Sequence, residues 1–123
     1  MDMDILTVTP VSDEVIAKLG EGLSYTRVGR NRPDPWHGPD FLPSGGLAVD
    51  RVYFLDLSGE DEDGWWAVMD EVMVRALALI PGELAFVNEW DSIMVDRTAQ
   101  GEVRYRHKDP YYRPFLIKSL GPV

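Results

Sequence analysis

Apolar and polar positions along the chain alternate in two distinct periods. Asp4-Ile-Leu-Thr-Val-Thr9 is rich in β-branched residues and predicts a first strand, which Pro10 ends. Ser12 is a good helix N-cap, and Asp13 and Glu14 fall in the first turn, where the helix dipole favours carboxylates. Val15, Ile16, Leu19 and Leu23 then recur on one helical face until Gly20 and Gly22 weaken the pattern. Ser24 to Val28 predicts a short second strand. Arg51 to Leu57 is a clear third, with Val52, Phe54 and Asp56 on one side and Tyr53, Leu55 and Leu57 on the other.

A polar turn, Gly59-Glu-Asp-Glu-Asp-Gly64, precedes a helix expected from about Trp65 to Ile80. There Trp65, Val68/Met69, Val72, Ala76 and Leu79/Ile80 repeat at helical spacing. Asp61 or Asp63 is placed to cap it, and Pro81-Gly82 stops it. The remainder reads as a meander. Leu84–Asn88, Ser92–Arg97 and Glu102–Arg106 are strands joined by turns at Glu89-Trp90-Asp91 and Ala99-Gln-Gly101. Phe115 to Lys118 is placed to add another. Two helices and about six strands joined by antiparallel hairpins predict an α+β fold. Its expected form is one curved, meander-rich antiparallel sheet with both helices on one face.

The length of 123 residues fits one domain, 1–123, able to bury one core. Only the stretch 29–46 breaks the regular pattern. It holds prolines at 33, 35, 39 and 43, together with Trp36, His37 and Phe41. Structureless loops longer than about 12–15 residues are uncommon in compact domains and tend to be functional or disordered. Prolines lower the entropy cost of holding such a loop in place. Trp36 and Phe41 suit either an Ω-like loop packed on the sheet or a surface that binds.

Charge narrows the partners. The net charge is −9, and residues 50–91 alone carry 11 acids against 2 bases. Residues 92–123 carry 6 bases against 3 acids and are mildly basic. Such a chain repels nucleic-acid phosphate and anionic membranes and favours basic partners. The start, MDMDIL, is acidic where a signal peptide needs positive charge, and no apolar run reaches the roughly 20 residues of a membrane span. A cytoplasmic protein is expected. There is no cysteine, hence no disulfide framework and no thiolate zinc site.

No catalytic motif is present. His37 and His107 are far apart, and nucleophile elbow, Walker loop and G-x-G-x-x-G are all missing. A calcium loop around Asp61-Glu62-Asp63-Gly64 fails, because Gly59 would occupy the first ligand position and the helix begins too early. Neither metal nor cofactor is implied. Trp65 and Trp66 lie about 100° apart on a helix. The spacing puts one of them in the core and the other near the boundary, beside the acidic run. An exposed Trp among carboxylates is a common interface anchor, and Glu89-Trp90-Asp91 repeats the combination on a turn. The expected partner-binding residues are therefore Trp36 and His37, then Asp56, Glu60, Asp61, Glu62, Asp63, Trp65, Trp66 and Asp70, and finally Glu89, Trp90 and Asp91. Asp96, Glu102, Arg104 and Arg106 read as cross-strand ion pairs on the solvated side of the sheet.

From about Val52 to Leu120 the order is strand, acidic turn, helix ending at Pro-Gly, then GELAFVNEWDSIMVDRTAQGEVRYRHKD. With its Asn88-Glu89 turn and Arg97…Gly101 hairpin, this half resembles immunity proteins of the bacterial Sit (swarming-inhibition) toxin type. The resemblance implies a protein that shields its own cell by binding a cognate toxin. It assigns no contact residues. An acidic, aromatic-bearing surface suits an inhibitor that plugs a basic active-site face. Two other readings remain open: a small enzyme using His37 with a carboxylate such as Asp40, and a generic interaction module or secretion chaperone.

Overall fold

The computed structural model describes residues 2–56, 62–88 and 92–106, the side chains of Asp56, Glu62, Asp63 and Trp65 excepted. In chain order the elements are β1 (Asp2–Thr7), α1 (Asp13–Leu19), β2 (Thr26–Asn31), a single 3-10 turn (Pro35–His37), β3 (Asp50–Asp56), α2 (Glu62–Leu79), β4 (Leu84–Asn88), β5 (Ile93–Arg97) and β6 (Val103–Tyr105). The fold is α+β. All six strands join one open sheet in the order β2-β3-β1-β4-β5-β6, and every neighbouring pair is antiparallel. β1 and β2 flank β3, and β3 and β4 flank β1. These two split β-α-β units make the ferredoxin-like plan, here extended by β5 and β6.

Strand alternation sends Met3, Ile5, Val52, Phe54, Leu84 and Phe86 to one face, where they form the main core with Leu19 of α1 and Trp66, Met69, Val72, Met73, Ala76 of α2. Both helices thus cover a single face, as expected. The inward stripe of α2 is 66–69–73–76–80, so Trp66 is buried at 5% exposure, and Asp70 on the same stripe is buried as well. Neither residue is available as a surface contact, which corrects that assignment. Ser12 caps α1 as predicted, its Oγ accepting from the Val15 amide at 3.2 Å. Two arginines close the helix ends. Arg75 of α2 donates to the carbonyls of Lys18, Leu19 and Glu21. Arg97 of β5 donates to those of Leu77, Ile80 and Gly82. Burial there lowers the Arg97 pKa from its ordinary value.

Two departures from the sequence reading have local causes. First, β2 extends through Gly29 to Asn31, so the loop begins at Arg32. Gly29 pairs with Tyr53, and a Cβ on Gly29 would lie 2.4 Å from the Tyr53 hydroxyl. The aromatic ring covers the bare glycine, which is how a strand tolerates one. Second, Asp96 is not on a solvated surface but 1% exposed. The pairing of β4 with β5 shifts between Phe86 and Val87 and skips Met94. This bulge lets the sequence neighbours Met94 and Val95 both enter the helix-side core. Asp96 then faces the other way, paired to Arg104 by two bonds of 2.8 Å and lying 3.6 Å from Arg106. The hydrogen bonds from Arg104 to Asp96 raise the pKa of that guanidinium. The possible strand at Phe115–Lys118 lies outside the described residues.

Candidate interaction surface

The second face of the sheet receives the segment between β2 and β3. Phe41 and Leu42 pack on Leu6, Ala85 and Val87, flanked by Val8, Ala48 and Ile93. The segment is therefore neither slack nor independent of the fold.

Its course is fixed by specific bonds. Pro35 opens the 3-10 turn, and the Asp34 amide donates to His37 Nδ1 at 2.7 Å. A ring nitrogen that accepts a backbone N–H carries no proton, so the proton of the neutral ring sits on Nε2. The imidazole is buried at 5% exposure between Trp36 and Phe41, with centroids 5.4 and 6.0 Å away. The Asp34 carboxylate lies 3.8 Å from His37 Nδ1 and 3.6 Å from Arg51, which also pairs with Asp4 at 2.9 Å. The loop start is thereby tied to β3 and β1. Its middle is tied by Glu83, a buried carboxylate that accepts from the Ser44 amide at 2.6 Å and from the Ser44 hydroxyl at 2.7 Å. Gly38 meets the returning limb so closely that a Cβ would stand 1.9 Å from the Gly46 carbonyl oxygen. The Val49 amide donates to the Thr7 carbonyl and leads the chain into β3.

On this held segment, Trp36 is 49% exposed, Leu47 71% and Val49 51%. Between its limbs lies a cleft of about 450 Å³ lined by Arg32, Pro33, Asp34, Pro35, Leu47 and Ala48. A second cleft, of about 390 Å³, opens on the same sheet face over Asp2, Asp4, Asn31, Arg51, Tyr53 and Leu55.

The predicted contacts separate accordingly. Trp36 is on the surface. His37 is buried and holds the loop's shape, because its Nδ1 is occupied by a backbone donor. Glu60, Asp61, Glu89, Trp90 and Asp91 lie outside the described residues, and so do the side chains of Asp56, Glu62, Asp63 and Trp65. For the 89–91 turn, only its flanks are described, with Asn88 Oδ1 and the Asn88 amide bonded to the Ser92 backbone. Asp40, the carboxylate expected beside His37 in an enzyme, is exposed while the imidazole is buried. Among the described residues no cluster of three His, Cys, Asp or Glu side chains is arranged to hold a metal. No helix among them is long and apolar enough to cross a membrane.

Leu47, Val49 and Arg32 were missed in the sequence, where lone apolar residues in a Gly- and Pro-rich stretch carry no period. The one signal is that Leu47 and Val49 follow Gly45-Gly46 without any polar partner pattern. Comparison with known protein families, with curated proteins and with solved structures gave no match.

Proposed function

We propose that this chain is an immunity protein of the cytoplasm that neutralises a cognate toxin by binding it. The observation that carries the reading is the 32–49 segment: it is irregular, yet fixed by Glu83, Asp34, Arg51 and His37, and it presents a half-exposed Trp36. A preordered aromatic surface loses little entropy on binding, which is what a tight inhibitor requires. The net charge of −9 supports the same reading, since it would speed encounter with a basic active-site face. Use of His37 as a structural acceptor weighs against the reading in which it acts as a general base.

The test is titration calorimetry against the purified toxin domain encoded beside this chain, together with survival of cells that co-express the two. Tight association and protection are expected. Reversing Glu60, Glu62 and Asp63 to lysine should weaken that association if the acidic turn takes part. Absence of any association removes the reading. The exposed Leu47 and Val49 on the same segment as Trp36 also favour a plainer alternative, an interaction module whose partner is not a toxin. Binding without protection would select it.

A further inference from the structure

We infer that the cleft between the two limbs of the 32–49 segment receives a partner side chain of defined chemistry: an aliphatic or aromatic residue standing next to a carboxylate. The inference rests on the reading of this segment as a binding surface and adds what the surface selects. Four of the six lining residues are apolar, Pro33, Pro35, Leu47 and Ala48. At about 450 Å³ the cleft is open to solvent and has room for a side chain together with its sequence neighbour. Leu47 is 71% exposed at its edge, although the neighbouring Phe41 and Leu42 are buried. Apolar surface left open on a segment otherwise fixed at both limbs is surface available to a partner.

Charge decides the second half of the motif. Two charged residues line the cleft, Arg32 and Asp34. The Asp34 carboxylate already lies 3.6 Å from the Arg51 guanidinium and 3.8 Å from His37 Nδ1. Arg32 is exposed and makes no ion pair among the described residues. Among the described residues the charge still unmet at this cleft is therefore positive, although the chain as a whole carries −9. A guanidinium takes a carboxylate through two parallel N–H donors, which gives direction as well as attraction. A toxin segment that fits here would thus carry its acid beside its apolar anchor, even if the rest of its face is basic.

The experiment selects short random peptides, displayed on phage, on the immobilised full-length protein. In parallel the same library is selected on Leu47→Asp and Arg32→Glu variants. Both positions are exposed, so thermal unfolding of the variants should match that of the parent. Peptides enriched on the parent should share an apolar residue adjacent to Asp or Glu. Synthetic versions should bind Leu47→Asp at least about tenfold more weakly. On Arg32→Glu the flanking acid should give way to Lys or Arg. No consensus, a consensus without an acid, or the same consensus on Leu47→Asp overturns the inference. Association with the neighbouring toxin is scored separately. Toxin binding unaltered by both substitutions rejects the cleft and leaves the immunity reading standing. The predicted peptide preference without toxin association does the reverse.

Discussion

The two faces of this sheet are covered by different means. On one, α1 and α2 lay regular apolar stripes over Ile5, Val52, Phe54 and Phe86, and Arg75 and Arg97 close the helix ends. On the other, among the described residues, Leu6, Ala85 and Val87 meet Phe41 and Leu42, with Val8, Ala48 and Ile93 at the margin. What fixes the second cover is a handful of polar contacts: the bonds of Glu83 to Ser44 and of His37 to the Asp34 amide, and the ion pair of Arg51 with Asp34. The helix face distributes its stability over many contacts, whereas the loop face concentrates it in a few. Segments of the second kind open locally at lower free energy than the global transition.

Core truncation should expose that contrast most strongly. Phe86→Ala, beneath the helices, should cost about 3–5 kcal/mol by urea unfolding, whereas Leu42→Ala in the smaller cluster should cost about 2 kcal/mol. Equal losses would mean that the loop is as integral to the cooperative unit as the helices are. A polar substitution sharpens the point. Glu83→Gln replaces an acceptor pair by one acceptor and one donor facing the Ser44 amide and hydroxyl. Ser44 itself is exposed, so the loss of one bond to the buried side chain at 83 should cost about 1 kcal/mol. The amides of residues 44–49 should exchange faster by hydrogen–deuterium measurement while those of α2 hold their protection. Gly38→Ala should act by overlap. Its Cβ would sit 1.9 Å from the Gly46 oxygen, so the two limbs must part. The atoms it meets are backbone, which cannot swing aside as a side-chain tip can, so the expected cost is about 2–3 kcal/mol, and the exchange pattern should resemble that of Glu83→Gln.

The same contrast explains what could be read from the sequence. Local periodicity located α1 with its Ser12 cap, α2 with its Pro81-Gly82 stop, and β4 exactly over Leu84–Asn88. Those signals lie within the segments they describe. Gly29 reads as a strand breaker because the ring that covers it, Tyr53, is on another strand. His37 reads as a surface imidazole because its burial comes from Trp36 and Phe41 after the chain has turned. Glu83 looks like one more acid in an acidic third until Ser44, 39 residues earlier, is brought onto it. Asp96 looks solvated because the bulge at Met94 is invisible to strict alternation. The two tryptophans of α2 satisfy nearly the same spacing, and only packing shows Trp66 to be an inward one. Of the surface itself, the sequence marks Trp36 and the prolines, flags Leu47 only by its place after Gly45-Gly46, and carries no sign of Arg32.

The smallest stability change is expected at Trp36, and it separates the residues that hold the loop from those the loop displays. Trp36 lies tilted against His37 with its ring half in solvent, whereas Phe41, tilted against the same imidazole, is 9% exposed and belongs to the loop-face cluster. Phe41→Ala should therefore lower unfolding free energy by about 3 kcal/mol. Trp36→Ala should change it by about 1 kcal/mol or less, within the range of a surface substitution. If toxin binding is measured alongside, the order should invert relative to stability, with Trp36→Ala weakening association while leaving the fold intact. An equal stability loss at both positions would make Trp36 part of the loop's packing, and the surface would then have to be sought elsewhere, beginning with the acidic turn before α2.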